Sequence, residues 1–509
     1  MSSRGELASW KKGCGAVVVV VLVAILSGGL WLNWRLGLKP KITRNFVAEI
    51  NTRLEKIPES DRAWPLFVDA MILDAQLSDE ERERAIRWSD LSGARPGDPA
   101  WDEAVDAFEV NRSMLELASQ IAAKPVLGAM LSDQHDPRFA RAIGEAAVHP
   151  NENPSLINIL LPHLGTARNL SKMLAFDARA ALETHDPDRF VQRMDDLCSI
   201  ASMVSEDGTL ISQLVGYAIC GLMYSEIGLA LQDYSAELAE SHLDKLDSVL
   251  DRIEQNQVLS CNMSVERMFF DDMLQRTYSD DGNGNGRMTR QGVKELDELM
   301  GGFAFAADAN ALTALNMFGL ASRKELDAFA DEFYATAQTY ADTPLYSNAA
   351  TPEEVIEKYM PSEYEQRRYM IAHQLVPALG QAAVTRWQIL THHGAMRARV
   401  ATERYLKDNG TMPQSLDVLL PDYLAELPKD LLVDAPLQWR ETEYGWTLYS
   451  VGYDKNDDGG APETDDAGLP TNGNGRQYVN PRNKQTQPCD WVIFPVFHVP
   501  VTQEGELDE

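Results

Sequence analysis

Residues 401 to 430 read ATERYLKDNGTMPQSLDVLLPDYLAELPKD. As far as Asn409 the text is charged and apolar in helical alternation, but beyond Gly410 it is interrupted by Pro413, Pro421 and Pro428. Proline lacks a backbone donor and clashes with the preceding turn, so no helix runs through three of them. The stretch marks where a helical chain ends and a differently built unit begins. Downstream, PLQWRET (436–442) and WTLYSV (446–451) read as two strands joined by Glu443-Tyr444-Gly445, with Trp439, Trp446 and Leu448 toward the packing surface. A further strand is expected in DWVIFPVF (490–497), where Pro495 confines it to an edge or an end.

Upstream, from about residue 43 to 410, apolar positions recur at helical spacing. Leu238, Leu243, Leu246, Val249, Leu250 and Ile253 fall on one face, with charges opposite. Breaks are expected at RPGDPAW (95–101), HPNENP (149–154), THDPD (184–188), SDDGNGNG (279–286) and TPLYSNAATPEE (343–354), the last offering Thr351 as a cap before Pro352. No fixed period recurs, which favours an irregular helical bundle over a solenoid.

At the start of the chain, residues 16 to 33, AVVVVVLVAILSGGLWLN, carry no charge and lie between Lys11-Lys12 and Arg35. The length suffices to cross a bilayer and the terminal Trp suits its interface, so an uncleaved signal anchor is expected over 16–34 after a basic tail at 1–15. A cleaved signal peptide, cut near Ser27-Gly28-Gly29, is the competing reading. The expected architecture is mainly α: a transmembrane helix, a helical domain over 43–365, and a small α+β head over 366–509 with an antiparallel sheet.

The net charge is −31. Arg4, Lys11 and Lys12 against Glu6 give residues 1 to 34 a charge of +2, so the remainder carries −33. Such a surface repels phosphate backbones, which excludes nucleic-acid binding and favours metal ions or basic protein partners. The five cysteines, Cys14, Cys198, Cys220, Cys261 and Cys489, are widely spaced without a C-x-x-C pair, leaving either disulfides or buried thiols.

Two loops carry candidate chemistry. In YSVGYDKNDDGG (449–460), Asp454, Asn456 and Asp458 precede Gly459 in a D-x-N-x-D-G spacing, with Asp465 at the twelfth position. Hard Ca²⁺ takes six to eight oxygens, which such a loop can supply; a solvated acidic turn is the plain alternative. In YSDDGNGNGRMT (278–289), Asp281, Asn283 and Asn285, then Gly286 and the Arg287 carbonyl, follow the EF-hand order, but Gly292 stands where a bidentate glutamate belongs. That loop is either a weak Ca²⁺ site or a turn rich in Asn and Asp.

The succession of these segments resembles the head of the type II secretion major pseudopilin over roughly residues 370 to 497. Arg404, Tyr405, Gly410, Pro413, Leu416, Pro421, Tyr423, Leu424, Pro428, Asp430, Tyr449, Ser450, Gly452 and Asp454 stand in matching places. The resemblance implies a long helix, a proline-bounded connection, a small sheet and an acidic loop that binds calcium. The glutamate that the family carries early in its apolar helix is absent from KKGCGAVVVVV, which implies a head reused as a module.

No G-x-S-x-G, H-E-x-x-H, Walker or dinucleotide signature occurs. His392 and His393 are adjacent and diverge by about 100° on a helix, and the acidic pairs Asp195-Asp196 and Asp271-Asp272 are expected to be solvated. The expected role is that of a membrane-anchored, extracytoplasmic structural or interaction protein with a partner in the envelope. The rivals are an envelope hydrolase whose site is assembled from residues distant in sequence, and a helical scaffold or adaptor.

Overall fold

A computed structural model describes residues 23, 26–31, 33–35, 37–146, 148–299, 319–376, 379–452, 455–465, 468–472 and 489–502. The chain is mainly helical, with small antiparallel sheets near its C-terminus.

The expected breaks fall between helices, because proline can occupy the first turn of a helix but not its interior. Pro162, Pro187 and Pro352 each open one, the last behind Thr351, whose side chain accepts the Glu354 amide at 3.2 Å. The helices that build the body are α1 (Pro162–Glu183), α2 (Pro187–Val204), α3 (Leu210–Asp233), α4 (Glu240–Gln255), α5 (Ser264–Thr277), α6 (Arg290–Leu299), α7 (Arg323–Asp342) and α8 (Leu379–Asn409). Helix α3 is apolar on all sides because α1, α2 and α8 surround it. It is long and apolar enough to cross a membrane, yet 72% of its apolar window is buried within the protein. The face expected for α4 is borne out: Leu243, Leu246, Val249, Leu250 and Ile253 are all buried against α2 and α8.

Helix α8 passes through two cores. Leu379, Ala382 and Ala383 join a cluster built around Phe270, Phe329 and Phe333 of α5 and α7, whereas Ile389 to Ala401 join the larger cluster around α1 to α4. Leu416, Leu419, Leu437, Leu448, Trp491 and Phe494 of the C-terminal unit belong to that same larger cluster, so the head shares its core with the helices.

After α8 the chain turns at Gly410 and forms β1 (Lys429–Asp430), β2 (Ala435–Pro436), β3 (Gln438–Thr442), β4 (Gly445–Ser450), β5 (Glu463–Thr464), β6 (Pro470–Thr471) and β7 (Trp491–Phe494). The three-stranded sheet has the order β3-β4-β7, all antiparallel. Trp439 stacks on Trp446 at 5.3 Å, as the alternation of the hairpin implies, and β7 ends at Pro495 on the sheet edge. Cys198, Cys220 and Cys261 are buried free thiols and Cys489 is buried, so the first three are the small-hydrophobe case.

The expected anchor at 16–34 lies mostly outside the described residues. Within it, Val23, Leu26 to Trp31, and Asn33 and Trp34 are helical and exposed. Cys14 lies outside the described residues.

Candidate functional site

The acidic loop leaves the end of β4 and returns beneath the sheet. Asp457 is tied to the strands: Tyr449 donates its hydroxyl to Oδ1 at 2.8 Å and Arg440 donates Nη2 to Oδ2 at 2.6 Å. Against a burial penalty, these donors and the Gly459 amide hold its carboxyl below the usual range. Asn456 donates Nδ2 to Asp458 Oδ1 at 2.7 Å. Asp490, just before β7, then draws the loop in by accepting the Asp458 amide at 3.3 Å and the Gly460 amide at 2.7 Å. Gly460 is required there, since its φ is +82° and a Cβ would stand 3.2 Å from the Tyr449 ring.

Asp490 is nearly solvent-free, and burial pushes its carboxyl up to about 6; the two amides oppose the rise, and the charges of Asp457 and Asp458 add to it. Asp430 is a second buried carboxylate, held by the Leu432 and Val451 amides at 3.0 Å each and raised mainly by burial. The loop thus gathers negative charge where water cannot solvate it fully.

Of the expected ligands, Asn456 and Asp458 come together. Asp465 is in the turn between β5 and β6, where its Oδ1 accepts the Leu469 amide at 2.7 Å. Asp454 lies outside the described residues. Sequence reasoning misses Asp490, which follows Asp458 by 32 positions and shows only as the polar residue ahead of an apolar strand. Among the described residues no three His, Cys, Asp or Glu side chains are arranged to share a metal. Asn456, Asp458 and Asp490 are the polar side chains that the loop and the approach to β7 bring together.

The loop between α5 and α6 fits less well. Asp281 Oδ1 accepts the amides of Asn283 at 2.9 Å and Asn285 at 3.0 Å, and the first of these holds its carboxyl low. The Arg287 carbonyl accepts the Ser279 amide at 2.9 Å, and the Gly284 and Gly286 carbonyls accept Lys324 and Arg323 amides at the start of α7. Acceptors that an EF-hand aims at its ion are used here to close a turn and dock it on a helix. Gly292 is pressed against α5: a Cβ would stand 2.2 Å from the Thr277 carbonyl oxygen, which leaves no room for a glutamate.

A cleft of about 460 Å³ between α4, α8 and residues 424–431 contains His393 and Glu254, the kind of pairing that a hydrolase would need. Both imidazole nitrogens are committed, Nδ1 to the Tyr224 hydroxyl at 2.8 Å and Nε2 to Glu254 Oε1 at 2.9 Å. The trio ties α3, α4 and α8 together. His392 is half-buried beside it, and desolvation, followed by the His393 charge, lowers it to about 4. The acidic pairs are not all solvated, as had been expected: Asp196 and Asp272 are buried, because Arg193 and Arg276 meet them at 2.8 Å and 2.9 Å.

No protein-family model matches the chain, and no curated protein or solved structure matches it.

Proposed function

We propose that the chain is a membrane-anchored, extracytoplasmic interaction protein whose C-terminal head, pseudopilin-like in the order of its elements, is stabilised by calcium. The observation that carries the reading is the entering helix. Val23, Leu26, Leu30, Trp31 and Trp34 are exposed by 58%, 65%, 72%, 41% and 58% within twelve positions, a density of bare apolar surface suited to a bilayer. Beyond it the acidic bulk suits a soluble ectodomain. The calcium reading rests on the crowded carboxylates of Asp457, Asp458 and Asp490, which a cation would relieve. The order of long helix, proline-bounded connection, three-stranded sheet and acidic loop supports the likeness to a pseudopilin head. We propose no calcium for the loop at 281–292, where Gly292 is pressed against Thr277 and leaves no place for the bidentate glutamate.

Protease added to intact spheroplasts should digest the region after residue 45 and leave a membrane fragment that resists alkaline carbonate extraction. Protection of the bulk until lysis, or release by carbonate, would refute the anchored, exported topology.

A further inference from the structure

Where the entering helix meets the body, a cleft of about 760 Å³ opens between Trp31, Trp34 and Arg35 on one side and Arg287, Tyr364 and Arg368 on the other. Its polar lining runs against the rest of the molecule, which is strongly acidic. Arg35 is only 6% exposed and donates Nη1 to the Met288 carbonyl at 2.5 Å, so its charge is fixed at the cleft wall. Burial, then repulsion from Arg287, lower the Arg35 guanidinium from its ordinary value, with the Tyr278 phenol opposing. Two cations therefore press on each other at the cleft. Arg368 is paired with Glu325 and Glu365, and Asp281 contributes one negative charge to the wall, its Oδ1 engaged by two loop amides.

Guanidinium groups match phosphate oxygens in planar, two-pronged geometry, and exposed Trp and Tyr rings belong at the water boundary of a bilayer. Resting on the anchored reading above, we propose that this cleft binds the phosphate headgroup of an anionic phospholipid, with Arg35 and Arg287 on the phosphate and Trp31, Trp34 and Tyr364 against the glycerol and upper acyl chain. The site lies where the apolar segment ends, at the depth at which headgroups sit. Anionic lipid gains about fivefold in affinity per basic side chain near the surface.

The full-length chain in dodecyl maltoside, titrated calorimetrically with dioctanoyl phosphatidylglycerol, dioctanoyl phosphatidylcholine and inorganic phosphate, tests the assignment. Phosphatidylglycerol should bind at least about tenfold tighter than phosphatidylcholine, whose choline offsets the charge that two arginines attract, and tighter than inorganic phosphate, which lacks the glycerol and acyl chain the aromatic rings would contact. Arg287 is exposed and can be changed without opening the core. Arg287→Gln should weaken phosphatidylglycerol about fivefold and leave phosphatidylcholine unchanged, with Arg287→Lys in between. Equal binding of the two lipids, or no effect of Arg287→Gln, overturns the proposal, and phosphate binding as tightly as phosphatidylglycerol overturns the lipid assignment. Because micelles receive the chain whatever its topology, these outcomes are independent of the carbonate and protease test of anchoring.

Discussion

Gly292→Ala should destabilise the protein, although glycine-to-alanine changes inside helices ordinarily stabilise by about 1 kcal/mol. Gly292 is the third residue of α6, and its amide donates to Thr289 Oγ1 at 2.9 Å. Thr289 in turn donates its amide and hydroxyl to the Thr277 carbonyl, each at 2.9 Å, which fixes the end of α5 against the start of α6. An added Cβ would stand 2.2 Å from the Thr277 oxygen, 2.5 Å from its Cα and 2.7 Å from its carbonyl carbon. These are backbone atoms, so no rotamer change relieves the overlap. Separating the helices costs about 1–3 kcal/mol of overpacking and weakens two hydrogen bonds worth about 1 kcal/mol each, which together outweigh the helix propensity by about 2 kcal/mol.

The comparison variant is Gly165→Ala in α1, where nothing lies within 4 Å of the new methyl, and which should gain up to about 1 kcal/mol. Urea denaturation of the full-length chain gives the two signs. Hydrogen exchange at the amides of residues 277–292 locates the loss, since with two cores the chain need not unfold in a single step. If Gly292→Ala stabilises as Gly165→Ala does, the close approach is wrong, and the loop regains its claim to be a degenerate EF-hand. Gly292→Glu should fail for the same steric reason, with or without calcium.

The remaining predictions concern the head. Asp490 has its carboxyl raised to about 6, above an ordinary value near 3.8, so the folded state holds the proton more tightly and stability is lost as pH rises through that window. After screening, the cost above it is on the order of 2 kcal/mol. In chelator the full-length chain should therefore melt lower at pH 7 than at pH 5 by more than Asp490→Asn does. Calcium at a hundredfold its Kd should restore about 2.7 kcal/mol at pH 7, and equal melting in calcium and chelator at that pH would sink the cation. Arg399 is buried over the Phe494 ring, with Nη1 on Glu403 at 3.0 Å and Nη2 on the Leu231 carbonyl at 2.8 Å. Arg399→Ala strands the buried Glu403 carboxylate and should cost about 3–5 kcal/mol by denaturant titration, much of it recovered by Arg399→Met with Glu403→Leu; a loss no larger than that of a surface substitution would refute the pairing.

The helices and the main hairpin were legible because each is written locally. Thr351-Pro352 is a start signal, the run from Leu243 to Ile253 is one face of one helix, and Trp439 with Trp446 is one face of one hairpin. What was not legible depends on chain segments that meet only in three dimensions. Asp490 is buried where it accepts the amides of a loop some thirty residues earlier, and the loop at 281–292 owes its closed form to the start of α7, whose Arg323 and Lys324 amides take its carbonyls. The D-x-N-x-N spacing is the same whether those carbonyls face an ion or a helix. His393 reads as half of an unremarkable pair until Tyr224 and Glu254, 169 and 139 positions away, occupy its two nitrogens.

Charge itself gives a last constraint on how the chain could meet an anionic surface. The bulk of the molecule, at −33 beyond residue 34, would be repelled by anionic lipid, whereas Arg35 and Arg287 at the cleft would be attracted. The two effects act over different ranges. At physiological ionic strength charges are screened beyond about 8 Å, so the distributed acidic groups lose most of their influence while a phosphate in contact with two guanidiniums loses little. At low ionic strength the long-range repulsion returns in full. On the lipid proposal, local contact would outweigh global charge at physiological ionic strength, and a headgroup seated between Arg35 and Arg287 would relieve the repulsion that these two cations exert on each other.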